Sequence, residues 1–139
     1  MRRWLVGGAV IEGPDGVLLV QNRRRDGRVD WSPPGGVIDD GETLLSGLTR
    51  EVAEETGLVV DTWAGPVYEI EAEAPDLGWL LRVEAHLAQT WSGEVLLAAA
   101  PRWVAEPLTD WLTGRWDECR TYRYLVTGAD RHSLRVVRR

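Results

Sequence analysis

Three glutamates, Glu51, Glu54 and Glu55, fall within five consecutive positions, and a fourth, Glu42, lies nine residues before the first of them. In a helix of 3.6 residues per turn, offsets of three and four bring the first three onto neighbouring parts of one surface. Like charges at that spacing repel by about a few tenths of a kcal/mol per pair. No basic residue is interleaved among those three to relieve them. A group of hard oxygen ligands that destabilises the empty helix points to a divalent cation. Mg²⁺ in particular takes a few carboxylates and keeps waters and substrate phosphates as its other ligands. The plainer alternative is a solvated acidic face near a helix end, and for Glu54 taken alone the two readings stand side by side.

A helical wheel separates the roles. With Leu48 at zero, Leu44, Leu45 and Val52 lie within about 60° and define the buried stripe. Glu55 lands about 20° from Leu48, inside that arc, while Glu51 and Glu54 sit progressively toward one edge. A carboxylate on the apolar side is expected to be paired, protonated or metal-bound, because an isolated buried charge costs too much. Arg50 faces away from the stripe and reaches Glu54 at i+4, where its guanidinium fork suits fixing a carboxylate's orientation. Thr43 is the expected N-cap, and Gly57 suits a left-handed residue just past the C-terminus. Ser46 and Gly47 weaken the helix, so its stability must come from packing and capping.

The run from Gly36 to Leu58 resembles the Nudix box, Gly-x5-Glu-x7-Arg-Glu-U-x-Glu-Glu-x-Gly-U with U aliphatic. Gly36, Glu42, Arg50, Glu51, Val52, Glu54, Glu55, Gly57 and Leu58 fill every specified position. The preceding Trp31-Ser32-Pro33-Pro34-Gly35 is similar to the family's usual lead-in. The resemblance implies that Glu51, Glu54 and Glu55 coordinate a catalytic Mg²⁺ or Mn²⁺, joined by the Gly36 carbonyl. It implies further that one of these glutamates activates the attacking water, with Arg50, Glu51 and Glu54 as the catalytic set. Glu42 is implied to be an electrostatic and structural partner of Arg50, with Gly36 and Gly57 as structural positions of the motif.

Composition bounds what remains. A chain of 139 residues, 44% hydrophobic and 27% charged, fits one globular domain with a real core. No apolar run approaches the length of a membrane span. The basic, apolar start Met1 to Ile11 is followed at once by Glu12 and Gly13-Pro14-Asp15-Gly16, which reads as the first arm of a hairpin rather than a leader. A single cysteine, Cys119, excludes an internal disulfide and suits a cytoplasmic setting. The net charge of −6 argues against a general nucleic-acid surface. All basic side chains are arginines, which removes lysine-based Schiff-base chemistry. Arg23, Arg24, Arg25 and Arg28 gather just before the motif, and Arg23 and Arg25 are candidates to grip substrate phosphates. Trp31 is a candidate to stack on a base. Arg131, Arg135, Arg138 and Arg139 read as a frayed tail.

Alternation and turn signals give a coarse element order. Trp4 to Glu12 and Val17 to Arg23 read as a hairpin, and Thr43 to Thr56 as the motif helix. Leu58 to Trp63, Val67 to Ala72 and Trp79 to Gln89 read as strands, Pro101 to Leu112 as a second helix, and Thr121 to Val126 as a last strand or the start of the tail. The expectation is an α+β fold, an α/β/α sandwich with a Nudix-like mixed sheet between helices. Only Val95 to Ala100 separates Trp91-Ser92-Gly93-Glu94 from the second helix, which leaves little room for a strand and loop the family usually carries there. The resemblance implies that this region supplies an additional acidic residue for metal binding or base catalysis, and Glu94, the only carboxylate between Glu84 and Glu106, is the candidate for it and for a contact to the substrate. If a late strand is missing, either a partner chain completes the sheet, as in a homodimer, or activity is reduced.

The expected function is a metal-dependent pyrophosphohydrolase that cleaves a nucleoside diphosphate linked to another moiety. A (deoxy)nucleoside triphosphate, oxidised forms included, comes first, and ADP-ribose or a nucleotide sugar second. The competing class is a Nudix-fold module that binds a nucleotide as a regulatory ligand without cleaving it.

Overall fold

The computed structural model describes residues 1–13, 16–92, 102–114, 116–128 and 135–138, with backbone alone for 102–105, 135 and 136. Among the described residues ten strands and two α-helices follow one another. They are β1 (Arg2–Val10), β2 (Glu12–Gly13), β3 (Gly16–Val17), β4 (Val20–Arg23), β5 (Val29–Ser32), β6 (Gly35–Val37), α1 (Leu44–Thr56), β7 (Val60–Ala74), β8 (Trp79–Trp91), α2 (Arg102–Gly114), β9 (Arg120–Thr127) and β10 (Arg135–Arg138). Six of the strands form one mixed sheet in the order β10-β9-β7-β8-β1-β6. β1 runs parallel to β8, and β7 parallel to β9, while β1–β6, β7–β8 and β9–β10 are antiparallel. The fold is the expected α+β arrangement.

Strand alternation sends side chains to two faces, and each face has its own core. On one, Leu48 and Val52 of α1 pack with Ala9, Ile11, Leu18, Leu58, Val60 and Ala88. On the other, Leu108 and Trp111 of α2 pack with Val10, Tyr68, Ile70, Ala72, Tyr122, Tyr124 and Val126. The alternation of β7 makes this division visible, since Tyr68, Ile70, Ala72 and Ala74 are buried and Glu69, Glu71 and Glu73 between them are only partly so. Those glutamates face the α1 side, where Arg82 joins Glu69 and Glu84, and Arg123 joins Glu71.

Three sequence expectations need correction. β1 does not pair with the segment that follows it; only Glu12–Gly13 and Gly16–Val17 form the small antiparallel ladder of a hairpin. β1 pairs along its whole length with β8 instead, from Arg2↔Trp79 to Val10↔Leu87. The two strands expected on either side of Gly65-Pro66 are one long strand, β7, with irregular register between Ala64 and Tyr68. The arginine-rich end is not frayed at Arg135–Arg138, which form β10 against Tyr124–Thr127 of β9. Glu94 and the segment Val95–Ala100, where a strand was expected to be missing, lie outside the described residues, as do Arg131 and Arg139.

The motif helix starts and stops where its caps dictate. Thr43 accepts a hydrogen bond from the Ser46 N–H at 3.2 Å, and the Ser46 hydroxyl accepts from the Thr43 N–H at 3.1 Å, closing a reciprocal capping box. Gly57 ends the helix with φ of 74° and donates its N–H to Ala53. A side chain there would be strained, so glycine sets the end point.

Candidate active site

α1 crosses β1 and β6 at the edge of the sheet, with Leu48 over the bare backbone of Gly7: a Cβ on that glycine would come within 3.3 Å of it. Because β6 is only three residues long and begins Gly35-Gly36, the helix overhangs an edge that carries no side chains there. Glu51 and Glu55 use that gap. The Glu55 carboxylate accepts the Gly35 N–H at 3.3 Å, and the Glu51 carboxylate occupies the space a side chain on Gly36 would fill. A Cβ on Gly36 would lie 2.5 Å from the Glu51 carboxyl carbon. Glu55 is thus exposed as a residue, against the wheel's placement of it inside the buried arc, because nothing on β6 covers that part of the stripe. Its carboxyl end is still partly buried against β6, and that desolvation pushes its pKa above the ordinary range. The Gly35 N–H opposes the rise, and the negative charges of Glu51 and Glu54 add to it.

Arg50 organises the remaining carboxylates. Its Nε donates to Glu42 at 2.7 Å, and its two terminal nitrogens reach Glu42, Glu51, Glu54 and Asp39 at 3.0 to 3.4 Å. The guanidinium beside Glu42 holds that carboxyl below its usual pKa, and Glu42 in turn raises the pKa of Arg50. Arg50→Met leaves four carboxylates facing one another without a counter-ion. The expected result is a lower melting midpoint and activity reduced by about 10- to 100-fold. Thermal melting run beside a rate assay checks both, and an unchanged rate would remove Arg50 from the site.

Among the described residues no three carboxylates converge at metal-ligating spacing in this arrangement. Glu51 and Glu54 are turned onto Arg50, and Glu55 onto the β6 backbone. The donor set nevertheless fits a hard divalent ion. Three carboxylates of one helical surface stand beside a glycine backbone, with a cradle at Gly36 that a Cβ would destroy.

The raised pKa of Glu55 has a consequence for stability. The folded chain binds its proton more readily than the unfolded chain, so the native state holds more protons and stability falls as pH rises. The window runs upward from the ordinary carboxylate range through the raised native value, and the deficit persists above it. Glu55→Gln removes the deficit. In chelator-treated protein its melting midpoint should exceed that of the wild type at pH 7, and the difference should shrink as pH falls. A variant that melts lower at pH 7 contradicts this.

A groove lies on the opposite face of the sheet from these carboxylates. Its floor is Val6, Gly8, Tyr68, Ile70, Leu81, Val83 and Ala85, and its wall is Ser32, Pro33, Gly35 and Gly36, enclosing about 200 Å³. The glycines at Gly7, Gly8, Gly35 and Gly36 pair across β1 and β6, so only backbone separates groove from carboxylates. A larger cleft, about 800 Å³, lies by Arg2, Arg3 and Arg82 and the loop Asp39–Glu42. Arg82 and Glu42 are already paired there with Glu69, Glu84 and Arg50, and the cleft does not include the three motif glutamates.

The sequence-derived substrate candidates are scattered. Arg23 ends β4 opposite Val29, and Arg25 is in the turn that follows; both are exposed and neither lines the groove. Trp31 is in β5 and packs against the α2-side core instead of facing the groove. Ser32, its neighbour, lines the groove and accepts a hydrogen bond from the Asn22 amide at 2.9 Å. The groove was not legible in the sequence because its floor joins β1 to β7 and β8, which lie far from β1 in the chain. The small residues Gly8 and Ala85, paired with Gly35 and Gly8 respectively, were the one local hint.

Comparison with known proteins agrees with this geometry. The family model for the NUDIX domain matches residues 1–104. The 8-oxo-dGDP phosphatase of Mus musculus is 31% identical over 77 residues, 55% of this chain and 23% of that protein. The oxidized purine nucleoside triphosphate hydrolase of the same organism is 45% identical over 49 residues, 35% of this chain and 31% of that protein. The chain thus spans about a quarter to a third of these curated relatives. Among solved structures, the E. coli ORF135 protein superposes with a TM-score of 0.66 at 20% identity, covering 85% of this chain and 96% of that one. The MutT NUDIX hydrolase from Burkholderia pseudomallei gives 0.66 at 20% identity, covering 78% and 98%. These two likenesses concern the fold. With every position of the motif filled, its helix capped and set against a glycine edge, and the family model matching three-quarters of the length, the chain belongs to the Nudix family.

Proposed function

We propose that this chain is a Mg²⁺-dependent pyrophosphohydrolase of nucleoside triphosphates, oxidised purine nucleotides included, working as a single domain in the cytoplasm. The observation that carries the reading is the meeting of Glu51 and Glu55 with the Gly35–Gly36 backbone, one strand away from an apolar groove. Charged phosphates and a flat apolar ring then have adjoining places of matching polarity. The names of the two mouse relatives point to oxidised purine nucleotides, and for this chain that remains the proposed substrate class.

Glu51, Glu54 and Glu55 would hold the ion, with the Gly36 carbonyl beside them. When bound, a divalent ion neutralises phosphate charge and orients the attacking water. The chain's own residues do the rest. Arg50 holds the Glu51 and Glu54 carboxylates together, donating to each at 3.2 Å. The bare backbone of β6 lets the phosphate chain approach without a side chain in its path. The test is release of phosphate or pyrophosphate, with Mg²⁺ and with chelator, across nucleoside triphosphates, 8-oxo-dGTP, ADP-ribose and nucleotide sugars. Metal-dependent release from triphosphates is the expected result. Release confined to ADP-ribose or sugar nucleotides would replace the substrate class, and no release from any of them would replace the enzyme with a binding module.

A further inference from the structure

Three tyrosines on the α2 side of the sheet are almost fully buried, and two of them have their hydroxyls tied down. Tyr122 donates to Asp110 at 2.8 Å, and Tyr124 donates to Glu106 at 2.8 Å. The third, Tyr68, is 2% exposed and touches Tyr122 edge-on with ring centroids 6.3 Å apart. Its hydroxyl has no hydrogen-bond partner among the described residues. Buried polar groups are normally paired, and leaving one unpaired costs about 1–3 kcal/mol. No described buried side-chain oxygen or nitrogen is both shut off and unpaired. The Tyr68 oxygen therefore keeps its small exposure, and the space this residue lines is the apolar groove beside Gly35 and Gly36.

We propose that Tyr68 is a specificity-determining residue whose hydroxyl hydrogen-bonds the ring of a nucleotide seated in the groove. The inference rests on the proposed nucleotide function and names what reads the base. Burial pushes the Tyr68 phenol well above its ordinary pKa, so it remains a neutral O–H able to donate or accept. The Ser32 hydroxyl, whose oxygen accepts from Asn22, keeps its own hydrogen to donate. Tyr68 and Ser32 are the two hydroxyls among the described groove residues, and all the other side chains there are apolar or absent. Such a wall by itself separates similar ligands by only about 10- to 200-fold, whereas a hydroxyl awaiting a partner discriminates by whether the ligand supplies one.

The experiment uses the whole chain and four probes, dGMP, dAMP, dCMP and dTMP, titrated by calorimetry into wild type and Tyr68→Phe, with pyrophosphate plus Mg²⁺ as a fifth. For the nucleotide bound tightest by wild type, Tyr68→Phe should weaken binding about tenfold, within the range of one hydrogen bond lost in an apolar site. The spread among the four should narrow and pyrophosphate binding should stay the same. The melting midpoint of the free variant should equal or exceed that of wild type, because no internal hydrogen bond is lost. Four nucleotide affinities unchanged in the variant would overturn the proposal. So would equal weakening of all five probes with a lower melting midpoint, which marks a packing role, and so would a wild type that binds none of the four nucleotides. If wild type cleaves nucleoside triphosphates in any of these cases, the proposed activity stands and only the role of Tyr68 falls.

Discussion

Glu54→Gln should lower turnover by at least about a hundredfold, the scale of losing one group that stabilises charge at the reacting centre. The melting midpoint should stay close to that of wild type. The side chain of Glu54 is 59% exposed, and its one ion pair among the described residues, to Arg50, is an exposed i,i+4 contact. Such contacts are worth about 0.3–0.5 kcal/mol. Glutamine keeps the size and one acceptor oxygen and removes the charge. A rate loss at constant stability therefore assigns the charge to chemistry. Glu55→Gln should lose rate to a similar extent, and its stability should differ from wild type in chelator-treated protein, since Glu55 carries a raised pKa. Initial rates at saturating Mg²⁺, beside thermal melting, decide the matter; either variant turning over at the wild-type rate removes that residue from the ion's ligand set.

The adjacent glycines Gly35 and Gly36 should fail in opposite ways when changed to alanine. Gly35 has φ of 156°, and a Cβ there would overlap the carbonyl oxygen of Gly7. Both backbones are fixed in the β1–β6 ladder, where Gly7 pairs with Gly36 and Gly8 with Gly35, so neither can yield. Strain and overpacking together put the cost of Gly35→Ala at about 2–5 kcal/mol, or on the order of 10 °C in melting midpoint. At Gly36 the collision is with the end of the Glu51 side chain, which can swing away. Gly36→Ala should therefore melt near wild type and lose about 10- to 100-fold in rate, the usual effect of moving a metal ligand's support. If Gly36→Ala instead unfolds the chain, or Gly35→Ala melts like wild type, the account of the β6 edge is wrong.

The motif helix was legible because everything that makes it is local. Its hydrogen bonds run from i to i−4, its caps Thr43 and Gly57 lie at its own ends, and Glu51, Glu54 and Glu55 share a surface through helical geometry alone. The pairing of Arg50 with Glu54 followed from the same spacing and is present at 3.2 Å. The placement of Glu55 was less so: the wheel gave its angle but not the shortness of β6, which leaves that angle uncovered.

Sheet partners were decided elsewhere. Alternation identified β1 and β8 as strands, yet only the folded chain joins Arg2 to Trp79 across 77 positions. Strand hydrogen bonds leave no periodic trace of their partner in sequence. The groove inherits that limitation, because its floor exists only once β1, β7 and β8 lie side by side. Tyr68 looks the same in sequence as Tyr122 and Tyr124. That its hydroxyl has no partner among the described residues became visible when the other two were found bound to Asp110 and Glu106 on α2. Sequence by itself determined the family's motif, its helix and the shared surface of Glu51, Glu54 and Glu55, all set by contacts a few residues apart. Tertiary structure alone decided which edge those glutamates face and what space lies behind it, because contacts between distant segments form only on folding.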